Sequence, residues 1–264
     1  MQHSALINVM IAAARKAART LKRDFGEVEN LQVSLKGPGN FVTAADRKAE
    51  ETLKTELIKA RPGYGFLGEE SGTTAGTDPS NTWIVDPLDG TTNFLHGIPQ
   101  FAISIGLERS GTVVAGVIYN PITDELFVAE RGKGAFLNDR RLRVAARKQL
   151  GDSVIACGLP HLGRGDLELG LRELSAIQSK VAGLRRFGAA ALDLAFVAAG
   201  RLDGYWERNL QPWDMAAGIL LVREAGGFVT DLDGNSDGMF TKRHIVAGNE
   251  TIQRELQTLL KAAA

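Results

Sequence analysis

The stretch Trp83-Ile84-Val85-Asp86-Pro87-Leu88-Asp89-Gly90-Thr91 constrains this chain more than any other. Three strand-forming apolar residues run straight into a carboxylate. Pro87 has no N–H to donate, so sheet pairing is expected to end there. Asp86 and Asp89 stand three apart on a tight turn that can aim both at one point. Gly90 permits close backbone approach. Thr91 adds a hydroxyl where a following helix would begin, and free N–H groups at a helix start favour an anion. The turn therefore offers cation ligands beside a phosphate cradle. Read alone, the same string is equally a surface turn, since Asp, Pro and Gly are the favoured turn residues.

Three other places bear on that choice. Gly68-Glu69-Glu70-Ser71 closes the apolar stretch 64–67 and puts acids at the expected end of a strand; a solvated loop start is the plainer account. Pro212-Trp213-Asp214 places an acid ahead of an apolar helix, where Asp214 can serve simply as an N-cap. Asp46 falls near the start of a helix, the ordinary place for a solvated acid. All of these donors are oxygens, which suit Mg²⁺ and suit zinc poorly. The histidines (His3, His96, His161, His244) have no paired metal-ligand spacing.

Periodicity supplies the scaffold. Leu6, Ile7, Met10, Ile11, Ala14, Ala17, Ala18 and Leu21 recur three or four apart, which predicts an amphipathic first helix. A second helix is expected over 43–60, with Thr43 as its cap, Ala45, Ala49, Leu53 and Leu57 on one face, and Arg61-Pro62-Gly63 as its stop. Residues 71–82, rich in Gly, Thr, Ser and Asp, read as an exposed loop and a candidate mobile flap. Strands are expected at 83–85, 101–107, 113–119 and 126–129, with Asn120-Pro121 as a turn. In the second half, strands at 153–157, 184–187, 204–206 and 227–230 alternate with helices at 167–179, 189–199, 213–225 and 251–261. The expected fold class is α/β (α+β), a sandwich of alternating helix and sheet layers. It would form one domain over 1–264, with halves of about 1–145 and 146–264.

Charge narrows the function. Lys plus Arg and Asp plus Glu both total 31, giving zero net charge. A binder that neutralises nucleic-acid phosphates would carry a basic excess, so direct nucleic-acid binding is not expected. Cys157 is the one cysteine, which fits a reducing compartment. The first ten residues lack the basic start and apolar core of a secretory signal. No apolar run approaches the roughly 20 residues of a membrane span. A soluble cytoplasmic globular protein with no membrane partner is expected. Arg185-Arg186 and Arg140-Arg141 read as solvated pairs, one of which could attract an anionic substrate.

Taken together, the motifs resemble the inositol monophosphatase family of the lithium-sensitive, magnesium-dependent sugar phosphatases. The resemblance runs from the first helix to the last. It is carried by 83–94, by Asn40-Phe41-Val42-Thr43-Ala44-Ala45-Asp46, by 68–71, by Gly188-Ala189-Ala190-Ala191-Leu192-Asp193 and by 212–218. It implies a layered fold, a homodimer and a phosphorylated polyol substrate, inositol monophosphate first. It implies metal ligands at Glu69, Asp86, the Leu88 carbonyl, Asp89 and Asp214. Glu69 and Thr91, with Asp46 nearby, would support the attacking water. Glu207 and Asp214 would contact ring hydroxyls, and Leu88, Asp89, Gly90, Thr91 and Gly188, Ala189 and Ala190 would line the substrate pocket. Two ions roughly 3.5–4 Å apart would polarise the phosphoryl oxygens, with Asp86 as the expected bridging carboxylate. No phospho-enzyme is expected.

Two positions depart from the family pattern: Asn40 where Asp is frequent, and Ala189 where Ser or Thr is. Neither is a metal ligand. Sister phosphatases acting on histidinol phosphate, a 3′-phosphoadenosine nucleotide or fructose bisphosphate are the rival enzymes. They typically differ just after Asp-Gly-Thr, often with a basic residue next, where this chain has Thr92-Asn93-Phe94. A rival of another class is an accessory factor in transcription or ribosome assembly, a role some bacterial relatives have.

Overall fold

Helix stripes and strand alternation sort this chain into five layers, helix–sheet–helix–sheet–helix. The computed structural model describes residues 3–25, 33–37, 40–163 and 165–264, the side chains of 33–37 and 40–43 excepted. The Thr43 cap and the Asn40 side chain lie outside the described residues.

The outermost layer pairs α1 (Ala5–Phe25) with α2 (Ala44–Ala60). In α1 the predicted stripe is the buried one: Ile7, Met10, Ile11, Ala14, Ala17, Ala18 and Leu21 face inward. In α2, Ala45, Ala49, Leu53 and Leu57 are all fully buried. Each such leucine contributes roughly 1.5–3 kcal/mol by leaving water. Asp46 and Glu50 are buried on the same helix, one step beside that stripe. A short hairpin, β1 (Val33–Gly37) with β2 (Asn40–Thr43), precedes α2.

Beneath these helices lies an eight-stranded sheet. Its body is an antiparallel run: β5 (Asp78–Asp89), β6 (Ala102–Arg109), β7 (Thr112–Asn120), β8 (Glu125–Glu130), β9 (Gly134–Leu137) and β10 (Arg140–Arg141). β3 (Tyr64–Gly68) pairs parallel with β5, and β4 (Gly72–Thr74) covers the edge. Residues 71–82, expected to be loop, thus contain β4 and the start of β5. Their polar residues are tolerated because the sheet edge and strand start are largely exposed. Pro87 does not end the pairing as expected. Asp86 pairs with Ser104 and Asp89 with Ala102, so three residues of β5 span two of β6. The extra residue makes a bulge, which absorbs the missing donor and re-aims the side chains around it.

The central helix layer holds α5 (Ala190–Ala198) and α6 (Pro212–Glu224), both apolar on nearly every side because sheets cover both faces. Gly106 and Gly116 let α6 approach closely: a Cβ there would stand 3.0 Å from Ala216 and Ala217 atoms. The second sheet has five strands in the order β12 (Gly183–Arg185), β11 (Val154–Cys157), β13 (Gly204–Arg208), β15 (His244–Gly248), β14 (Phe228–Thr230). Its outer face is covered by α4 (Leu167–Gln178) and α8 (Glu250–Ala263), with Ile177, Leu256 and Leu260 buried against Trp206 and Val246. Two short helices, α3 (Thr91–Leu95) and α7 (Met239–Lys242), and a 3-10 turn at Leu150–Asp152 complete the described elements. No described helix is long and apolar enough to cross a membrane.

Candidate active site

Parallel pairing explains why the acids meet. Gly68 at the end of β3 lies opposite Val85 of β5, and the Glu69 N–H donates to the Val85 carbonyl at 3.2 Å. Glu69 and Asp86 therefore emerge side by side from adjacent strands running the same way. Strand ends of this kind are where ligands of open α/β sheets gather. The second sheet adds its own ends, Gly158 after β11, Arg186 after β12 and Glu207 on β13.

The bulge turn is tightly held. Asp86 is 1% exposed and its Oδ1 accepts the Leu88 N–H at 2.9 Å. Asp89 Oδ2 accepts the Ala191 N–H at 2.7 Å, which places it at the start of α5. Ala189, the N-cap residue of that helix, has no side-chain cap of its own. Gly90 follows with φ 95, a left-handed conformation that glycine adopts freely. The helix expected after it, α3, is only five residues long. Thr91 Oγ1 stands 3.2 Å from Asp46 Oδ1 and 3.1 Å from the Leu88 carbonyl. Its one proton faces two acceptors, so its lone pairs are left to accept from a donor on the other side. Asp46 is 1% exposed, behind Thr91.

Asp214 arrives from α6. It is the third residue of that helix rather than its N-cap: Gln211 caps, and Asp214 Oδ2 accepts the Gln211 N–H at 2.7 Å in a reciprocal capping box. Oxygens of Asp86, Asp89 and Asp214 lie within 4.8 Å of one another. Burial pushes the Asp86 carboxyl well above its ordinary range, and Glu69, Asp89 and Asp214 push it further. Asp89 is raised too, by burial first and then by Asp214, with the Ala191 N–H opposing. Like charges gathered in a partly dry site demand protons or a cation. The donors are all hard oxygens, so the residues fit a divalent ion such as magnesium.

Glu69, Asp86, Leu88, Asp89, Gly90, Thr91, Gly188, Ala190, Glu207 and Asp214 all line one cavity of about 580 Å³. Asp46 and Ala189 do not line it; Ala189 is 1% exposed beneath it. Glu207 is held from two sides. The Tyr205 hydroxyl donates to its Oε2, and a Cβ on Gly158 would stand 1.8 Å from its carboxyl carbon. Arg186, expected to be solvated, is exposed yet also borders the cavity. Cys157 is buried and its thiol is pushed up to about 12, by burial first and then by Glu207 and Asp193.

The whole chain matches the description of one family, the inositol monophosphatase family, over residues 2–264. The chain belongs to that family. Close relatives are named as inositol-1-monophosphatases, enzymes that hydrolyse phosphate monoesters. An inositol-1-monophosphatase of Mesorhizobium japonicum is 64% identical over 261 residues, 99% of this chain and 98% of the relative. The crystal structure of the extragenic suppressor protein suhB from Bartonella henselae superimposes with a TM-score of 0.95 at 64% identity, over 98% of this chain and 99% of that one. The Nus factor SuhB of Pseudomonas aeruginosa is 42% identical over 260 residues, 97% of this chain and 96% of the relative.

Some residues of this inositol monophosphatase-family site escaped sequence reasoning. Asp193 was part of a recognised motif, but no role followed from it. It is 1% exposed, and its Oδ1 has no hydrogen-bond partner among the described residues. Burial raises its carboxyl well above the ordinary range, and Glu207 and Asp89 add to this. Glu173 and Arg208 form a further pair on the cavity wall, the Arg208 Nη2 standing 2.6 Å from Glu173 Oε1. Glu50 also went unnoticed. Its signal was the four-residue step from Asp46 along α2.

Proposed function

We propose that this protein hydrolyses inositol monophosphate to inositol and phosphate, using magnesium. The observation that carries the reading is the convergence of Asp86, Asp89 and Asp214 in the cavity that Glu69, Thr91 and Glu207 also line. Magnesium bound by those oxygens and the Leu88 carbonyl would acidify a water and neutralise phosphoryl charge. The chain's own residues do the rest. Glu69 and Thr91 orient the attacking water, Thr91 accepting its hydrogen bond because its own proton is committed toward Asp46 and Leu88. Glu207 accepts hydrogen bonds from ring hydroxyls through its carboxyl oxygens, and Gly188 and Ala190 supply backbone in the same cavity, with Ala189 between them. Catalysis then rests on positioning and charge neutralisation. A homodimer and sensitivity to lithium belong to the same reading.

The test is phosphate release from inositol 1-phosphate, with and without Mg²⁺, by wild type and Asp86→Asn. Magnesium-dependent turnover that Asp86→Asn abolishes is the expected result. Turnover only on another phosphate monoester would keep the chemistry and discard inositol. No release from any ester by folded, metal-loaded protein would sink the enzyme reading.

A second reading, an accessory role in transcription, rests on the likeness to the Nus factor SuhB. Capture of RNA polymerase components by both wild type and Asp86→Asn would favour it, since such a role needs no intact metal site.

A further inference from the structure

One face of α2 reaches both turns that carry the site. Asp46, Glu50 and Lys54 recur every fourth residue, a rise of about 6 Å per step along one stripe. Asp46 stands against Thr91 on the turn after Asp89. Lys54 Nζ donates to Thr74 Oγ1 on β4 at 2.8 Å. Glu50, between them, is 3% exposed. Its Oε2 accepts the Glu70 N–H and its Oε1 the Ser71 N–H, both at 2.7 Å. Those amides directly follow Glu69, whose own N–H is held by Val85 on the other side. The fit is close: a Cβ on Gly68 would stand 2.5 Å from Glu50 Oε2.

A buried carboxylate is costly unless its oxygens are satisfied. Here two successive backbone amides satisfy them, and bonds from backbone N–H to a carboxylate are of the strong, charge-assisted kind. We propose that Glu50 is a positioning residue for the site: it fixes the 69–71 turn so that Glu69 projects toward Asp86. Because Asp46 and Glu50 share one rigid helix, α2 also sets the spacing between the Thr91 turn and the Glu69 turn. The inference rests on the reading of Glu69 as a metal ligand. Residues that orient ligands from behind typically contribute about 10- to 100-fold in metal affinity or activity.

The experiment compares wild type, Glu50→Gln, Glu50→Asp and Lys54→Ala by Mn²⁺ binding calorimetry, by Mg²⁺ titration of phosphate release and by thermal melting. Glu50→Gln keeps the shape but turns an NH₂ toward one of the two amides. Its Mn²⁺ affinity is expected to fall about tenfold, with an equal rise in half-saturating Mg²⁺. KM for inositol 1-phosphate at saturating Mg²⁺ should stay near the wild-type value. Glu50→Asp keeps the charge but withdraws it by one methylene, and should shift both readouts the same way; it serves if Glu50→Gln fails to fold. Lys54→Ala removes contacts of the same helix to Thr74 and Phe66 on the strands, away from either turn, and should leave Mn²⁺ binding unchanged. A Glu50→Gln protein that melts earlier yet binds Mn²⁺ as wild type does would reduce Glu50 to a structural anchor and overturn the inference. Wild type that neither binds Mn²⁺ nor releases phosphate would instead overturn the reading of the site.

Discussion

Substituting Gly158 by alanine separates recognition of the polyol from the chemistry. The added Cβ would stand 1.8 Å from the Glu207 carboxyl carbon and 2.2 Å from Oε2, so the carboxylate must leave its place. Gly158 is not in a left-handed conformation, so the perturbation is steric rather than a backbone conflict. If Glu207 accepts hydroxyls of the substrate ring, its eviction removes at least one hydrogen bond to a charged group, about 1.5–3 kcal/mol. That corresponds to a roughly 10- to 100-fold fall in kcat/KM on inositol 1-phosphate. A phosphate ester without ring hydroxyls, p-nitrophenyl phosphate, has nothing to lose there, and its kcat/KM should stay within about threefold of wild type. Overpacking costs about 1–3 kcal/mol, so the melting temperature should also drop by several degrees. The assay is steady-state phosphate release on both esters at saturating Mg²⁺. Equal losses on both would refute the reasoning, because the damage would then lie in the carboxylate cluster. Unchanged kinetics on inositol 1-phosphate would refute it differently, showing that Glu207 does not contribute to recognition.

Other outcomes are expected from particular groups. Ala189→Ser adds an N-cap hydroxyl to α5, whose Ala191 N–H is already taken by Asp89, and should raise stability by about 1 kcal/mol through the Leu192 N–H, seen as a higher melting temperature; an unchanged or lower one would show that the buried hydroxyl finds no partner. Cys157, its thiol raised to about 12, should resist iodoacetamide at pH 8 in the native state and react once denatured; rapid native labelling would show that its strand opens. Burial alone would push Asp231 up, but hydrogen bonds from Lys242 and Asn235 outweigh it and hold the carboxyl well below the usual range. The stability this gives is complete above the unfolded aspartate pKa of about 3.9 and is lost as pH falls through the lower folded value. Lys242→Met should therefore lower the urea midpoint at pH 7 and differ less from wild type below pH 4. A difference that holds constant with pH would show that the lysine acts through packing.

The alternation of local pattern was legible where one face of an element is buried and the other wet. That covers the α1 and α2 stripes, whereas the strands around Ile103, Val117 and Phe127 are buried on both faces between helix layers and showed only as apolar, β-rich runs. β9 and β15 were not recognised, and β10 is only two residues long. These segments are too short, or too mixed in residue type, for a period to show. The carboxylates that converge at the candidate site were also legible, because an apolar strand runs straight into Asp86 and Asp89. Pro87 was misleading, since a bulge can host a residue that a regular ladder rejects.

What the sequence determined by itself is the inventory: which carboxylates exist, which helices have an inward stripe, and that no basic excess serves a nucleic acid. What only the tertiary structure decided is the meeting of that inventory. Parallel pairing of β3 with β5 sets Glu69 beside Asp86. The close approach of α6 over Gly106 and Gly116 accompanies the arrival of Asp214. The position of α2 gives buried Glu50 its two amides. Periodicity reports what lies one or two turns away along the chain. It carries no record of which distant strand end or helix face will close the site, because that depends on sheet order and layer packing.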